Sequence, residues 1–497
     1  MRSSGILMHI SSLPSPYGIG SMGAQARAFV DFLASAGQSY WQILPICPTG
    51  FGDSPYQSYS THAGNPYFID LDDLANDGLL WPEEYMGRSW GDDPAAVDYG
   101  RLYELRYPVL RLACRRLADS PTEDYAAFCR ENAFWLEDYA LFMALKQAHG
   151  GAPWRAWEPT LRNREPEVLE RARRALGADL DFWRAVQYLF FRQWRALKGY
   201  ANGKGISIIG DLPIYVSEDG VDVWARRELF QVDGDGTPIE VAGVPPDGFT
   251  ADGQLWGNPL FDWEAMEKDG YRWWIDRIRY QCAIYDVLRI DHFRGFDSYY
   301  AIPYGAANAR GGQWRRGPGI ALFRALEREA GKQRIIAEDL GYMTDSVRAL
   351  LEESGFPGMK VLQFAFDSRD GSGADYLPHN YPAHCVVYTG THDNDTVLGW
   401  MEHARPADAA YAREYLRLSR EEGWHWGMMR AVWASVGELA VVTAQDVLGL
   451  GGRARMNTPS TVGNNWRWRA LPGVFTHELA AKLRHETALY GRMQREG

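Results

Sequence analysis

The sequence is poor in the residues that build disulfide frameworks and metal sites. Its 497 residues include five cysteines, which are widely scattered and form no CxxC pair. An odd number of separated cysteines predicts free thiols in a reducing cytoplasm. The 11 histidines form neither HxH nor HExxH. A metallohydrolase is therefore a minor alternative, and the sequence predicts no metal site.

Long apolar runs, excess positive charge and nucleotide-binding motifs are also missing. No apolar run approaches the ~18 residues of a membrane-spanning helix, and "MRSSGILMHISSLPSP" does not predict a signal peptide. The net charge of −12 argues against nucleic acid or an anionic membrane as the main partner. There is no P-loop, and no GxGxxG follows a strand, so no nucleotide cofactor is expected. We expect a cytoplasmic globular protein without a cofactor.

Aromatic residues are abundant, with 20 tryptophans and 27 tyrosines. Core packing explains many of them, but several lie in loops rich in glycine and proline, such as "DSPYQSYS", "GQLWGNPLFDW" and "GNNWRWR". Flat apolar rings with polar edges suit the C–H patches of sugar rings. These loops are therefore consistent with carbohydrate binding, although the pattern is not specific.

Eight short apolar runs rich in β-branched residues predict buried strands. Helical patterns at 24–36, 271–284, 321–331, 346–354 and 408–419 lie between them. Buried strands that alternate with helices imply a parallel sheet covered on both faces, and eight of them favour an α/β fold of the (β/α)8 barrel type. The predicted strands are 5–10, 40–44, 206–212, 286–291, 334–339, 360–366, 385–390 and 438–446.

Nearly every predicted strand ends in a polar group, which favours a closed barrel over an open sheet with a single switch point. We expect one catalytic domain over 1–497, with large insertions after strands 2 and 3. The first insertion, about 47–200, contains a loop and a helical block. The second, about 215–263, is dense in Gly, Pro and Asp and predicts loops over a cleft.

Three carboxylates at predicted strand ends are the candidate chemical groups. Asp291 lies two residues after Arg289, so both side chains point to the same side of an extended strand. The guanidinium would keep Asp291 ionised, as a nucleophile requires. The alternative, an Arg–Asp pair with a purely structural role at the barrel rim, is equally compatible with these residues alone.

Glu338 emerges from the apolar run of "RIIAEDLG", where burial would hold it protonated as a general acid. Backbone hydrogen bonding at a strand end is the alternative. Asp393, in "TGTHDNDT", could equally form a turn or a helix N-cap, and for Asp395 that structural role is the better prediction. Together, the three carboxylates fit glycoside chemistry, which uses one carboxylate nucleophile and one carboxylic acid.

The motifs "LRIDHFRGF", "IIAEDLG" and "TGTHDNDT" resemble the catalytic-strand motifs of the 4-α-glucanotransferases called amylomaltases, in the α-amylase superfamily. The resemblance extends over essentially the whole chain through stretches such as "GFGDSPYQSYSTHAGNPYFID", "GVPPDGFTADGQLWGNPLFDW" and "RMNTPSTVGNNWRWR". It implies a retaining enzyme that transfers α-1,4-glucan segments between maltooligosaccharides and releases short sugars such as glucose. The implied partners are a glucan donor and a sugar acceptor, and the implied state is a monomer or a weak homo-oligomer.

The resemblance also implies residue roles. Asp291 would be the nucleophile, Glu338 the acid and base, and Asp393 the residue that stabilises the distorted sugar ring. The implied substrate-binding residues are Ser54, Tyr56, Asp211, Gln254, Trp256, Asn258, Arg289, His292 and His392. Of these, Tyr56 and Asp211 would line the donor side, and Gln254, Trp256 and Asn258 would lie in a loop over the cleft.

The chain departs from the family pattern at a few positions. Gly248 stands where the family usually has an aromatic residue in the acceptor-side loop, and Ser460 and Asn464 stand where glycines are common. Two rival functions remain at this point. One is an α-glucan hydrolase of the same superfamily, and the other is a non-catalytic glucan-binding protein, which the intact trio of carboxylates argues against.

Overall fold

Eight parallel strands form the central sheet of this computed structural model, which describes residues 2–50, 52–247, 250–369 and 371–493. Their spatial order is β10-β11-β12-β1-β2-β3-β6-β9. The strands are β1 (Ser3–Leu7), β2 (Tyr40–Gln42), β3 (Ser207–Leu212), β6 (Val287–Ile290), β9 (Ile335–Ala337), β10 (Gly358–Val361), β11 (Cys385–Tyr388) and β12 (Leu439–Thr443). All eight predicted strands are confirmed, each shorter than predicted at one end or both.

The sheet closes on itself between its first and last strands. Ala337 at the end of β9 donates its N–H to the carbonyl of Pro357, just before β10, at 3.0 Å. The strands β6, β9, β11 and β12 are buried or nearly so along their whole length, because helices cover the outside and side chains fill the inside. The predicted (β/α)8 barrel is confirmed.

The helices fall where the apolar periodicity places them, and the five predicted inter-strand helices are confirmed within a few residues. Those that follow or precede barrel strands are α1 (Ala24–Ser35), α10 (Trp263–Lys268), α11 (Arg272–Ile284), α12 (Ile320–Ala330), α13 (Asp345–Ser354), α14 (Val397–His403), α15 (Pro406–Leu416), α16 (Trp424–Ala434), α17 (Ala444–Val447) and α18 (His477–Leu489).

A helical block lies between β2 and β3. It comprises α2 (Leu71–Asn76), α3 (Tyr99–Asp119), α4 (Glu123–Glu131), α5 (Ala133–Ala148), α6 (Pro159–Arg162), α7 (Pro166–Ala175) and α8 (Gly177–Gly203). Two buried glutamines of α8 tie the block to the loop before it. Gln187 exchanges two hydrogen bonds with the backbone of Gly64, and Gln193 does the same with Asp70. The loop that carries Tyr56 is thereby fixed to a long, well-packed helix.

A second, antiparallel sheet covers part of the region that the sequence predicts as cleft loops. It has the order β5-β4-β7-β8 and contains β4 (Glu240–Val244), β5 (Gln254–Pro259), β7 (Ser298–Pro303) and β8 (Gln313–Arg316), after a short helix α9 (Val221–Ala225). The prediction of loops alone over 215–263 is therefore wrong for β4 and β5. These strands contain Gly and Pro. β5 pairs with β4, and β4 pairs on its other side with β7, which is distant in sequence.

Several expectations concern the molecule as a whole. Within the described ranges, none of the helices has the length and apolar character needed to cross a bilayer, and no three His, Cys, Asp or Glu side chains are grouped as metal ligands would be. The five cysteines are free thiols, as predicted. The single catalytic domain, the cytoplasmic location and the oligomeric state stay predictions.

Candidate active site

The barrel brings the three candidate carboxylates to the same end of the sheet. Asp291 directly follows β6, Glu338 directly follows β9, and Asp393 lies in the turn after β11. Parallel strands present their carboxyl ends on one rim, so residues distant in sequence meet there. The backbone of the nucleophile candidate is fixed on both sides, because the N–H of Asp291 donates to Leu212 at 3.0 Å and the N–H of Glu338 donates to Ile290 at 3.0 Å.

Arg289 forms the electrostatic centre of the site. Its Nη1 lies 2.7 Å from both carboxylate oxygens of Asp211, and its Nη2 lies 3.0 Å from Oδ1 of Asp291. Burial alone would lower the pKa of Arg289, but the charges of Asp211 and Asp291 outweigh it and hold the pKa well above its ordinary value. The guanidinium therefore stays charged and orients Asp291 toward the cleft.

Asp211 and Asp291 differ in what they can reach. The side chain of Asp211 has no exposed surface, whereas that of Asp291 is 28% exposed. The Tyr56 hydroxyl also donates to Asp211 Oδ2 at 2.7 Å. Asp211 thus holds Arg289 and Tyr56 in place from below, and Asp291 offers an oxygen to the cleft.

Glu338 is attached to the turn that follows the nucleophile candidate. Its Oε2 accepts the backbone N–H of His292 at 2.6 Å, and its Oε1 accepts the N–H of Leu340 at 3.1 Å. Burial raises the pKa of Glu338 to about 7, although Arg289 and these two N–H groups oppose the rise. A carboxyl group with a pKa near neutrality can give up and take back a proton at physiological pH.

Burial also raises the pKa of Asp291, and Arg289 works against that rise through direct contact. Among the described residues, Arg289 forms no ion pair with Glu338. A proton shared by the two carboxyl groups is therefore better placed on Glu338, because a protonated Asp291 would lose its charged hydrogen bond to Arg289.

His292 forms a wall of the site as an uncharged imidazole. It adopts a left-handed backbone conformation, with φ 51° and ψ 48°, which turns the chain sharply after Asp291. Burial lowers its pKa to about 3. Its ring packs edge-on to the Trp256 ring, with the two ring centroids 4.8 Å apart. The buried Nε2 of His292 has no hydrogen-bond partner in the described part of the chain. A buried ring nitrogen without a partner is suited to form a hydrogen bond with a substrate hydroxyl.

Asp393 is held by a residue that the sequence did not single out. Asn457 Nδ2 donates to Asp393 Oδ1 at 2.6 Å, and Arg455 donates to the Asp393 carbonyl at 2.6 Å. Nε2 of His392 lies 3.3 Å from the same Oδ1, and the His392 ring stacks on Tyr56 with centroids 5.1 Å apart. Asp393 is thus oriented but 46% exposed. Asp395 instead accepts the N–H of Thr396, which agrees with the structural role expected for it.

The loop around Asn457 contains unusual backbone conformations. Ser460, Asn464 and Trp466 all have positive φ values, of 63°, 57° and 63°. Glycine adopts this region without penalty, so Ser460 and Asn464 stand at positions that the backbone makes suitable for glycine. Trp466 also lies 5.8 Å from the rings of Tyr56 and His392, so it belongs to the site. Gly248, the other departure, lies outside the described residues.

The remaining candidate residues divide between the cleft and its support. Trp256 and Gln254 are on β5 rather than in a loop, and Trp256 Nε1 donates to Gln254 Oε1 at 3.0 Å. The loop predicted for Gln254, Trp256 and Asn258 is therefore corrected to a strand. Asn258 is buried, with its amide bound to Gln57 and to the Val216 carbonyl. Ser54 Oγ accepts the N–H of Tyr56 at 3.2 Å and so shapes the turn that presents Tyr56.

Comparison with known proteins decides the family. The family model described as 4-alpha-glucanotransferase matches residues 8–473. The chain belongs to the 4-alpha-glucanotransferase family. Family members include the 4-alpha-glucanotransferase of Clostridium butyricum, which is 47% identical over 98% of this chain and 100% of its own length. That of Thermus thermophilus is 49% identical over 97% of both chains. The expected enzyme class, a glycosyl-transferring enzyme, is confirmed.

Solved structures extend the family relationship to the fold. The amylomaltase of Streptococcus agalactiae, solved in complex with acarbose, matches with a TM-score of 0.96 and 42% identity over 99% of this chain and 100% of that one. The amylomaltase of Corynebacterium glutamicum has a TM-score of 0.76 at 21% identity over 99% of this chain and 75% of its own, and so shares the fold. The chain therefore has the amylomaltase architecture of the family along its whole length.

Proposed function

We propose that this chain is a retaining 4-α-glucanotransferase that moves α-1,4-glucan segments between maltooligosaccharides or starch-type glucans and releases short sugars such as glucose. Its place would be cytoplasmic maltodextrin, glycogen or starch metabolism. One observation carries the mechanism: Asp291 is bound to the charged Arg289, while Glu338 beside it has a pKa raised to about 7. The pair thus combines an ionised nucleophile with a protonated acid, as retaining chemistry requires.

In the first step, a carboxylate oxygen of Asp291 attacks the anomeric carbon of the donor sugar. The bond from that carbon to the glycosidic oxygen breaks, and Glu338 gives its proton to the leaving 4-oxygen. The donor segment is then esterified to Asp291, and the shortened sugar leaves. Arg289, released from one partner, remains neutralised by Asp211.

In the second step, the 4-hydroxyl of an acceptor sugar attacks the same carbon. Glu338, now a carboxylate, takes the hydroxyl proton, and the ester bond to Asp291 breaks. Two inversions give net retention of the α-configuration. All the protons move between the sugars and Glu338, so the reaction requires no metal or organic cofactor.

The surrounding residues bind the sugar at the cleavage point. Asp393, oriented by Asn457, would hold hydroxyls of the distorted ring, and His392 would assist it. His292 offers its unpartnered Nε2, and Trp256 and Tyr56 offer apolar ring surface. Ser54, Asn258 and Asp211 would act on the substrate through their neighbours, because their polar atoms hold Tyr56, Gln57 and Arg289.

Transfer prevails over hydrolysis when a sugar hydroxyl reaches the glycosyl ester before water does. Water is present at roughly 55 M, and well-oriented groups reach effective molarities of about 10⁵–10⁸ M. Side chains on β5 and in the loops that carry Tyr56 and Asn457 lie around the cleft and can position an acceptor. We propose that these segments favour attack by the acceptor hydroxyl over attack by water.

Maltotriose as the only substrate tests transfer directly. We expect glucose together with a ladder of maltooligosaccharides longer than three units, because each glycosyl ester is passed to another sugar. The products can be separated by anion-exchange chromatography. Acarbose, which the Streptococcus agalactiae relative binds, serves as a control and should suppress the whole ladder. If the products are only shorter than maltotriose, the enzyme is a hydrolase.

The pH dependence should report the state of Glu338. The acid works only when protonated, and its pKa is raised to about 7. The enzyme should therefore be active below pH 7, where Glu338 carries its proton. Above that pH, the rate should fall by about tenfold per pH unit as the proton is lost. Initial rates of glucose release from pH 5 to 9 measure this limb. A flat profile across pH 7–9 would contradict the assignment of Glu338 as the acid.

A further inference from the structure

A cavity of about 670 Å³ lies outside the proposed active site, between the segment that follows β12 and the last helix, α18. None of the proposed catalytic or substrate-binding residues lines it. Its walls include the indole rings of Trp426 and Trp468 and the aliphatic side chains of Leu450, Leu471, Val474 and Leu479. A mostly apolar cavity of this size is typical of small-molecule sites, provided that a few polar groups orient the ligand.

Arg469 is the first of those polar groups. It is only 4% exposed, and with the part of the chain that the structure describes its guanidinium makes one hydrogen bond, from Nη2 to the carbonyl of Ser15. Its Nε is buried without a partner, and no carboxylate of the described residues forms an ion pair with it. Burial lowers the pKa of Arg469 to about 10, so it is still charged at neutral pH.

Other buried arginines of this chain donate to more backbone carbonyls, although Arg106 and Arg277 also keep buried nitrogens without a partner among the described residues. Arg106 and Arg277 each donate to two backbone carbonyls, and Arg492 donates to four. Arg469 differs in binding a single carbonyl and in facing a cavity. The charge of the exposed Asp93 partly opposes the effect of burial on the pKa of Arg469, but the two residues form no ion pair. A buried charge without a directly bound counter-charge is costly, so a cavity beside it is suited to an anion.

Two further groups give the cavity a positive character. The Lys482 ammonium lies 3.7 Å from the centre of the Trp426 ring, with no ion pair to a carboxylate in the described ranges. Nδ1 of His425 is buried and has no hydrogen-bond partner there. One acidic residue, Glu478, also lines the cavity, but it is exposed and its carboxylate is held by its own helix N-terminus and Thr476. Two cations therefore face one solvated anion.

We propose that this cavity is a binding site for a small organic anion with a flat apolar body, of the aromatic carboxylate class. The carboxylate would accept from the free guanidinium edge of Arg469, and Lys482 would add to the attraction. The rings would pack against Trp426 and Trp468. The site does not depend on the proposed transfer mechanism, since it shares no residue with it.

A matched pair of probes tests charge selectivity in this cavity. 2-Naphthoate and the uncharged 2-naphthamide have nearly the same shape, so titration calorimetry of each against the full chain isolates the contribution of the charge. We expect 2-naphthoate to bind at one site, at least about tenfold more tightly than 2-naphthamide, because a hydrogen-bonded charge is involved. Maltose should not compete with it.

Variants locate the site. Arg469→Gln should lower the affinity for 2-naphthoate by about tenfold or more. Because Arg469 also holds Ser15, the exposed Lys482→Gln variant provides a second test that does not endanger folding, with an expected loss of about threefold. Lys332→Gln, at an exposed lysine remote from the cavity in sequence and fold, is the matched control and should bind normally. Equal binding of the two probes, no binding of 2-naphthoate, or normal affinity in Lys482→Gln would each overturn the proposal.

Discussion

Replacing Asp291 with asparagine is expected to lower the turnover of maltotriose by roughly 10⁴-fold or more, as removal of a catalytic nucleophile does in other enzymes. An amide oxygen can still accept from Arg289 at the 3.0 Å position, so the fold should be retained. The amide is a poor nucleophile, and no glycosyl ester can form. Glucose release and oligosaccharide laddering should disappear together.

The control for this variant is Asp276→Asn, on the exposed face of α11. It removes one carboxylate of the same kind without touching the cleft and should leave both products unchanged. Acarbose binding, measured by calorimetry, separates lost chemistry from lost structure, since the Asp291→Asn protein should still bind it. Wild-type turnover in Asp291→Asn would exclude Asp291 as the nucleophile.

Glu338→Gln is expected to have an effect that depends on the leaving group. With maltotriose, the loss should be about 10²–10⁴-fold, because the leaving oxygen is no longer protonated. With α-maltosyl fluoride, fluoride leaves without an acid, so the first step should proceed. The second step then lacks its base, and a maltosyl ester on Asp291 should accumulate. Intact-protein mass spectrometry detects it, and peptide mapping locates it.

The matched control is Glu352→Gln, an exposed position on α13, which should behave as the wild type with both donors. The rate of ester formation by Glu338→Gln from the fluoride donor should show no alkaline fall, because the group with a pKa of about 7 is gone. If Glu338→Gln fails to form the maltosyl ester from the fluoride donor, Glu338 supports the structure of the site rather than acting as its acid.

The barrel could be predicted because its signal is local. The runs at 385–390 and 438–446 contain the continuous apolar segments "CVVY" and "LAVV", and such segments have few alternatives to a buried strand. The polar residues at their ends were informative for the same reason, since a barrel presents all its strand ends on one rim. The pairing of Asp291 with Arg289 followed from their spacing by two in a strand.

The parts that sequence reasoning missed depend on contacts between distant segments. β4 and β5 belong to a sheet in which β4 pairs with the distant β7, and their Gly and Pro content hides the alternation of a strand. Asn457 becomes part of the site because its loop folds back onto Asp393, 64 positions earlier. The aromatic residues of "GNNWRWR" indicated a sugar-binding loop there, but no local pattern distinguished Asn457 itself.

The attachment of Glu338 to the N–H of His292 has a consequence for how this enzyme can diversify. The acid is bound to the residue next to the nucleophile, so one short turn sets the relation between the two groups. The segments over the cleft are attached elsewhere, to α8 and to β7. Mutations in those segments can therefore change substrate preference while the relative position of Asp291 and Glu338 is kept. The catalytic pair and the substrate-binding segments can therefore change independently during evolution.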